Sequence, residues 1–312
     1  MRKFPVQINW VNIGETAGGH AGGPVAGPAD SGAGSGALKG QEYSNSPEEG
    51  FQTAASCKLL RNIKGIIFDF DGTLFDNKLL PFYMISAYPP DLLRIFRERQ
   101  TRKSFAGSDY STPEEYYRAF FNTMAKACHR SPEKIKNWYF NRYMPRMARA
   151  LRNHYKLRPG VTELFRCFDT MDKPSLPQIA IYSDYPILKE RMEAVGLTLS
   201  KRILLYGPES FGAQKPAARP FLQIAGELGT TPEETLVIGD REDTDGLGAY
   251  RAGMRFFCLE TGRKRYFRLD PYRNPKKEEP QGPSLVMYAG NWDELNKLLI
   301  EKYGGTSKNP GL

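Results

Sequence analysis

The sequence predicts an α/β protein in which a doubly wound parallel sheet carries a second, all-helical domain. Short apolar runs alternate with helical patterns from Lys64 to near the C-terminus, as in a parallel sheet covered on both faces. A single long segment interrupts this alternation with helical patterns alone. The predicted division is a disordered tail over 1–57, an α/β core over 58–76 and 158–303, a helical insertion over 77–157 and a flexible tail over 304–312.

Six apolar runs are predicted to form the strands of the sheet. They are Gly65–Phe68, Ile179–Tyr182, Ile203–Tyr206, Leu236–Ile238, Phe256–Leu259 and a weaker run at Ser284–Tyr288. The patterns "ILKERMEAVGL" and "ARPFLQIAGELG" between them predict helices, the second ending at Gly229 as at a C-cap. Gly262–Pro283 is predicted to be a long irregular loop.

The helical insertion begins its helices with recognisable capping signals. Thr112 and Glu115 form a capping box around Pro113, and Ser131 followed by Pro132 repeats the pattern. Pro145 is expected to kink or split the second helical pattern because proline lacks the backbone N–H that an α-helix needs.

Composition limits the class of protein. The 312 residues are 40% hydrophobic, enough to bury a core, but residues 13–50 are mostly Gly, Ala, Ser and Pro and predict disorder. No apolar run approaches the roughly 18 residues of a membrane span, and the N-terminus lacks the apolar segment of a signal peptide. The four cysteines are scattered and favour neither a zinc site nor disulfides. We therefore expect a cytoplasmic protein.

The positive charge of the chain is concentrated in the insertion. Residues 77–158 hold 17 Lys and Arg against 6 Asp and Glu, a balance of +11, so the other residues sum to 9 − 11 = −2. Such a patch attracts anions, although solvated helix faces explain it equally well. Arg102, Lys103, Arg142 and Arg146 are candidates for contacting a ligand.

Polar residues follow four of the predicted strands, where ligands bind in an open parallel sheet. They are Asp69 and Asp71 after the first, Ser183 and Asp184 after the second, Lys215 after the third, and Asp240, Asp243 and Asp245 after the fourth. Converging carboxylates repel one another, and a divalent cation with hard oxygen ligands, Mg²⁺ above all, relieves the repulsion. An ionised Asp69 is then a nucleophile, and Asp71 can act as general acid and base.

"DFDGT" with Ser183, Lys215 and "GDREDTD", in this order, resembles the haloacid dehalogenase (HAD) superfamily of phosphohydrolases over about residues 64–300. The resemblance implies a HAD-like Rossmannoid core, Asp69 as nucleophile and Asp71 as general acid/base. It implies phosphate contacts from Ser183, Lys215, Gly72 and Thr73. It also implies Mg²⁺ as cofactor, held by Asp69, the Asp71 backbone carbonyl, Asp240 and Asp245.

Two positions depart from the family pattern. Position 244, where a second acid often stands, is Thr, so Asp245 is preferred as the supporting carboxylate and Asp243 is the fallback. Asp184 stands where many relatives carry Asn. A cap for the next helix is the favoured explanation, and an additional carboxylate near the metal is the other.

The insertion resembles the C1-type helical cap of phosphoglycolate phosphatase-like members. Its aromatic residues are expected to form the core of the cap rather than to stack on a nucleobase. The resemblance implies a phosphoric monoester hydrolase that acts on a small phosphorylated metabolite through an aspartyl phosphate. A phosphomutase of the β-phosphoglucomutase type, or a non-catalytic anion or nucleic-acid binding protein, is the alternative. Neither a nucleic acid nor a membrane is the expected partner.

Overall fold

The computed structural model describes residues 9–12, 59–170, 176–199, 202–260 and 286–303. Their strands are β1 (Asn9–Asn12), β2 (Gly65–Asp69), β3 (Gln178–Tyr182), β4 (Leu204–Tyr206), β5 (Thr235–Gly239), β6 (Arg255–Leu259) and β7 (Val286–Gly290). They form one parallel sheet in the order β1-β7-β6-β5-β2-β3-β4. The chain order reverses at β2, which lies between β5 and β3.

The helices fall into two groups. The cap holds α1 (Leu80–Ser86), α2 (Leu92–Ser104), α3 (Pro113–Cys128), α4 (Pro132–Trp138) and α5 (Met144–His154). The core holds α6 (Val161–Thr170), α7 (Leu188–Ala194), α8 (Pro208–Phe211), α9 (Ala218–Glu227), α10 (Leu247–Arg251) and α11 (Trp292–Tyr303). Between residues 77 and 157 every regular element is helical. The predicted fold class, an α/β sheet with a helical cap, is confirmed.

The sheet is buried on both faces, as its continuous apolar strands predict. In β2, Ile66 and Phe68 pack into one hydrophobic cluster, while Ile67 packs into a second cluster on the opposite face. Successive side chains of a strand alternate between faces, so each strand contributes to both clusters. Ionisable groups on these central strands are therefore confined to the strand ends, where the sheet opens.

The cap packs around its own aromatic core. Its buried rings are Tyr116, Phe120, Phe121, Trp138, Tyr139 and Tyr143. The predicted capping signals are present, since the Thr112 hydroxyl accepts from the Glu115 N–H at 3.2 Å and the Ser131 hydroxyl from the Lys134 N–H at 3.4 Å. The interruption expected near Pro145 is a π-helical turn, Tyr139–Tyr143, and Pro145 lies in the first turn of α5. A missing N–H is tolerated there.

The prediction of a disordered tail over 1–57 is wrong at Asn9–Asn12. These four residues form β1, which pairs in parallel with the edge of β7. An edge strand leaves a row of backbone N–H and C=O groups without partners, and β1 satisfies them. The Gly-rich composition that predicts disorder begins only after "NWVN".

Other boundaries shift by one or two residues. β4 begins at Leu204 rather than at Ile203, and β7 ends at Gly290 rather than at Tyr288. The Gly262–Pro283 loop, the 304–312 tail and the remainder of 1–57, apart from β1, lie outside the described residues. Among the described helices, none combines the length and the apolar character that a membrane span requires.

Candidate active site

The candidate active site forms where the chain order of the sheet reverses. Asp69 is the last residue of β2, one residue beyond the predicted strand, and it pairs in register with Tyr182 at the end of β3. Ser183 follows β3 directly, and Asp240 follows β5 directly. Because β3 and β5 flank β2, the three side chains start from adjacent points on one edge of the sheet.

Lys215 lies at the centre of the site and is almost fully buried. Its Nζ donates to Asp69 Oδ1 at 2.8 Å, to Asp245 Oδ1 at 2.8 Å and to the Tyr182 carbonyl at 2.9 Å. The ammonium thus uses all three of its donors on fixed acceptors. One lysine joins carboxylates from two different strand ends.

Asp184 positions this lysine instead of capping a helix. Its Oδ1 accepts from the backbone N–H of Lys215 at 3.0 Å. The N-cap residue of α7 is Ile187, which makes no side-chain capping bond. The favoured interpretation of Asp184 as a helix cap is therefore wrong, because the loop before Lys215 passes close enough to take its carboxylate.

Asp69, Asp240 and Asp245 each offer a carboxylate oxygen, and these three oxygens lie within 4.8 Å of one another. Gly72 has a φ of +103°, and a Cβ built there would lie 2.4 Å from Asp240 Oδ2. A Cβ at Gly239 would lie 2.5 Å from the Asp245 carboxyl carbon. The two glycines let the backbone approach the acids closely. A set of hard oxygen donors fits Mg²⁺.

The two candidates for the supporting carboxylate occupy different environments. The Asp245 side chain is 2% exposed and contacts Lys215. The Asp243 side chain is 48% exposed and pairs with Arg241 at 2.7 Å, two residues away. The structure thus brings Asp245, and not Asp243, to Asp69 and Asp240. Asp243 and Asp245 both belong to one π-helical turn, Glu242–Gly246, in which one side chain is exposed and the other is buried.

Burial dominates the protonation of this site. It raises the pKa of the Asp69 carboxyl to about 7, an effect that Lys215 opposes and that Asp245 and Asp71 reinforce. Burial also raises the pKa of Asp245, again against the effect of Lys215. The pKa of Lys215 lies well above its usual value, since Asp245 and Asp69 outweigh the burial of the ammonium. The single positive charge of Lys215 does not balance the two carboxylates that it contacts, so a further cation would help to keep both acids ionised.

Asp71 contacts a second set of residues, and its side chain is not part of the three-carboxylate group. Its Oδ2 accepts from the Ser183 hydroxyl at 2.8 Å, and its Oδ1 accepts from Arg191 Nη2. Arg191 Nη1 donates to the same Ser183 hydroxyl at 3.0 Å. Asp71, Ser183 and Arg191 therefore form a closed triangle beside Asp69. The metal contact of the Asp71 carbonyl stays a prediction.

Arg191 was not singled out in the sequence, although it is fully buried. Its guanidinium also donates to the Tyr185 carbonyl at 3.2 Å and lies 5.1 Å from the ring centroid of Phe70. The available signal is its spacing from Leu188 and Val195, which places it on the apolar face of α7. A charged residue at such a position needs a buried partner, and Asp71 is that partner.

Arg158, which sequence reasoning also missed, binds two backbone carbonyls of the loop after β2. Arg158 Nε donates to the Thr73 carbonyl at 2.9 Å and Nη2 to the Gly72 carbonyl at 2.8 Å. The Thr73 hydroxyl donates to Asp69 Oδ2 at 2.8 Å. Gly72 and Thr73 thus lie beside Asp69, and their phosphate contacts stay predictions.

A family model described as haloacid dehalogenase-like hydrolase matches residues 63–253, which contain every predicted site residue. The chain belongs to this family. The match covers the whole cap and the core strands from β2 to β5. Family membership makes the chain a hydrolase, in agreement with the polar side chains that follow the strand ends.

This haloacid dehalogenase-like hydrolase is 42% identical over 55 residues to glyceraldehyde 3-phosphate phosphatase of Methanopyrus kandleri. The matched segment is 18% of this chain and only 24% of that curated relative. A 2-haloacid dehalogenase from Pseudomonas syringae pv. tomato is 17% identical, with 77% of this chain and 99% of that chain covered and a TM-score of 0.49. A predicted phosphoglycolate phosphatase from Haemophilus somnus is 20% identical, with 64% and 86% covered and a TM-score of 0.44.

Among the basic cap candidates of this haloacid dehalogenase-like hydrolase, Arg102 reaches the core. Its Nη1 donates to the Asp184 carbonyl at 2.7 Å, and its guanidinium lies 4.0 Å from the Tyr185 ring centroid. Arg146 instead pairs with Asp91 inside the cap at 2.9 Å. Lys103 and Arg142 are exposed. Arg102 therefore links the cap to the loop that carries Ser183.

Proposed function

We propose that this haloacid dehalogenase-like hydrolase is a Mg²⁺-dependent phosphatase that hydrolyses a small phosphomonoester through a phosphorylated Asp69. The observation that carries the proposal is the position of Asp69 at the end of the central strand. One of its oxygens is held by Lys215 and the other by Thr73, each at 2.8 Å. A carboxylate fixed in this way is an oriented nucleophile, because each oxygen keeps a further lone pair.

In the first half of the reaction an oxygen of Asp69 forms a bond to phosphorus, and the bond between phosphorus and the ester oxygen breaks. The Asp71 carboxyl donates its proton to the departing oxygen, which leaves as an alcohol. With substrate bound, Lys215 would turn a donor from Asp69 to a phosphoryl oxygen, and the Ser183 hydroxyl would turn from Asp71 to another. Both would stabilise the charge that develops there.

In the second half Asp71 acts in the reverse direction. Its carboxylate takes a proton from water, and the water oxygen attacks phosphorus. The bond between phosphorus and Asp69 breaks, which releases inorganic phosphate and restores the Asp69 carboxylate. Asp71 regains its proton for the next turnover. The contact of Asp71 with Ser183 at 2.8 Å supports this assignment, since it fixes the acid beside the predicted phosphoryl position.

Asp69, Asp240, Asp245 and the Asp71 carbonyl would hold Mg²⁺, which supplies positive charge next to the phosphoryl group when bound. The cap contacts the core beside the site through α2, whose Arg102 donates to the Asp184 carbonyl in the loop after β3. Such a cap excludes water and provides substrate contacts. A small phosphorylated metabolite is therefore the proposed substrate class, and a cytoplasmic location is proposed with it.

The test is phosphate release by the full chain from a panel of phosphomonoesters, with glyceraldehyde 3-phosphate included because a curated relative bears that name. We expect release with Mg²⁺, none in excess EDTA, and none from Asp69→Asn. The matched control is Asp243→Asn, which makes the same change at an exposed acid and retains activity. Full activity of Asp69→Asn contradicts the proposal, and formation of an isomer in place of free phosphate identifies a phosphomutase.

A further inference from the structure

The cap contains a polar pocket that does not belong to the candidate active site. Its volume is about 320 Å³, and it lies between α1 and the segment that runs from the π-helical turn through α5. Residues that define its chemistry are Tyr83, Tyr88, Arg142, Arg146, Arg149 and His154. None of the predicted catalytic, phosphate-binding or metal-binding residues lines it. Its size falls in the range of small-molecule sites.

The pocket carries a net positive charge. Three guanidinium groups line it, together with the amides of Asn141 and Asn153, and no carboxylate is among its lining residues. α5 contains no acidic residue, and α1 contains no charged residue at all. The acid that contacts a lining arginine is Asp91, whose two oxygens already accept from Arg94 and Arg146 at 2.9 Å each. The cations that line the pocket therefore outnumber the acid that compensates them.

Two of the arginines are oriented by one aromatic ring. The guanidiniums of Arg142 and Arg146 lie 5.8 Å and 5.2 Å from the ring centroid of Tyr88. Arg146 Nη2 is anchored on Asp91, whereas its buried Nη1 has no hydrogen-bond partner among the described residues. A buried charged donor without a partner is destabilising, so an anion that accepts from it would be favoured.

Aromatic rings lie between the pocket and the loop that carries Asp69. The rings of Tyr83 and His154 stack with centroids 3.9 Å apart. Tyr83 contacts the Tyr155 ring, which contacts Phe75, which in turn contacts Phe70 between Asp69 and Asp71. Three successive ring contacts thus lie between the pocket lining and the segment that carries Asp69. Because no predicted site residue lines the pocket, a molecule bound there would be distinct from the substrate at Asp69.

We propose that this pocket binds a soluble small molecule that carries two or more linked phosphates, such as a nucleoside triphosphate. Planar guanidiniums recognise phosphate oxygens in pairs, and three of them match a polyanion better than a single phosphate. A concave pocket of about 320 Å³ suits a small molecule better than an extended surface does. This inference does not depend on the proposed catalytic activity.

The test is calorimetric titration of the full chain with tripolyphosphate and with ATP, in EDTA and at about 0.15 M salt to screen weak surface contacts. The pocket variant is Arg142→Glu with Arg149→Glu, both exposed residues. The control is Arg130→Glu with Arg152→Glu, which makes the same charge change at exposed cap positions outside the pocket. Arg146 is left intact because its removal would leave the buried Asp91 with one fewer cation.

We expect the dissociation constant to rise at least about tenfold in the pocket variant and to stay within about twofold in the control. Circular dichroism and the melting temperature establish that both variants are folded. Three results would overturn the proposal: no binding to the wild-type chain up to about 1 mM ligand, equal weakening in the control, or binding only to vesicles that contain phosphorylated inositol lipids. The titration is done in EDTA, so it measures binding without the proposed Mg²⁺-dependent reaction. A chain that binds tripolyphosphate in EDTA but releases no phosphate with Mg²⁺ would refute the proposed function and not this pocket.

Discussion

The haloacid dehalogenase-like core and its cap both bury charged residues, but they balance the charges differently. The cap cluster consists of Glu98, Arg102, Tyr139 and Tyr143. Here one acid meets one base, and the two phenol hydroxyls satisfy the remaining lone pair and donor. In the catalytic cluster of Asp69, Lys215, Asp240 and Asp245, two carboxylates share one ammonium and a third lies next to them.

The pKa values of buried carboxyl groups in the two regions accordingly shift in opposite directions. Burial raises the pKa of Asp69 to about 7. For Asp91 in the cap, burial is outweighed by the Trp138 side chain and by the Arg146 guanidinium, so its pKa lies below the usual value. A balanced buried pair maintains a structure, whereas a surplus of buried acid is typical of sites that bind a cation or carry out a reaction. Each of the following predictions tests one side of this contrast.

The largest effect is expected from Asp245→Asn in the catalytic cluster. We expect turnover to fall by about 10³-fold, equivalent to about 4 kcal/mol, and the Mg²⁺ concentration for half-maximal activity to rise. Asp243→Asn, on the exposed side of the same π-helical turn, is the control and should change neither value by more than about twofold. Equal losses in both variants would remove the distinction between the two acids.

Arg102→Met should produce the largest loss of stability in the cap. Glu98 has no solvent exposure, so removing its cation leaves a buried charge and lowers the free energy of unfolding by about 3–5 kcal/mol. The control is Arg118→Met, whose ion pair with Glu115 is exposed and contributes less than about 1 kcal/mol. Urea unfolding measures both.

Adding Glu98→Gln to Arg102→Met should restore part of the lost stability, because the double variant no longer buries an unpaired charge. No difference between Arg102→Met and Arg118→Met would show that the cap cluster does not stabilise the fold.

Arg191→Met should separate positioning from binding at the Asp71 triangle. The guanidinium fixes both Asp71 and Ser183, so its loss should lower kcat by about 10–100-fold, or 1.4–2.7 kcal/mol, with a smaller change in KM. Arg191→Lys keeps the charge and should recover part of kcat. If Arg191 had only a structural role, the loss of kcat in each variant would instead follow the loss of melting temperature. Lys189→Met, exposed on the same helix, is the control. An unchanged kcat in folded Arg191→Met contradicts the positioning role.

The smallest effect concerns Asp91, whose pKa in the folded cap is below its usual value of 3.8. A lowered pKa stabilises the fold above the unfolded-state value and loses this contribution as pH falls through the folded-state value. The wild-type chain should therefore exceed Asp91→Asn in free energy of unfolding by about 1–2 kcal/mol at pH 7, with the difference vanishing as pH falls below about 4. If the difference in free energy of unfolding persists at lower pH, its cause is packing and not the charge of Asp91.

The site residues that sequence patterns located are those at strand ends. Asp69, Lys215, Asp240 and Asp245 could be predicted to meet because the carboxyl ends of parallel strands share one edge of a sheet. Asp245 could be preferred to Asp243 only by resemblance, since both acids occupy one short segment and their separation depends on a π-helical turn.

Residues that act through packing were missed. Arg191 and Arg158 find their partners 120 and 86 positions away, at Asp71 and Gly72, and no local pattern contains such a contact. Strand β1 was missed for a related reason, because its pairing with β7 joins opposite ends of the chain. Local propensity predicts elements, but only the tertiary fold decides which polar groups are buried together.

The most direct test of the central claim is to quench turnover with acid and map the phosphorylated residue by mass spectrometry of peptides. The predicted result is one phosphoryl group on the peptide that contains Asp69 in the wild-type chain, and none in Asp69→Asn. Steady hydrolysis with no phosphoryl group on Asp69, or with one on another residue, would contradict the account.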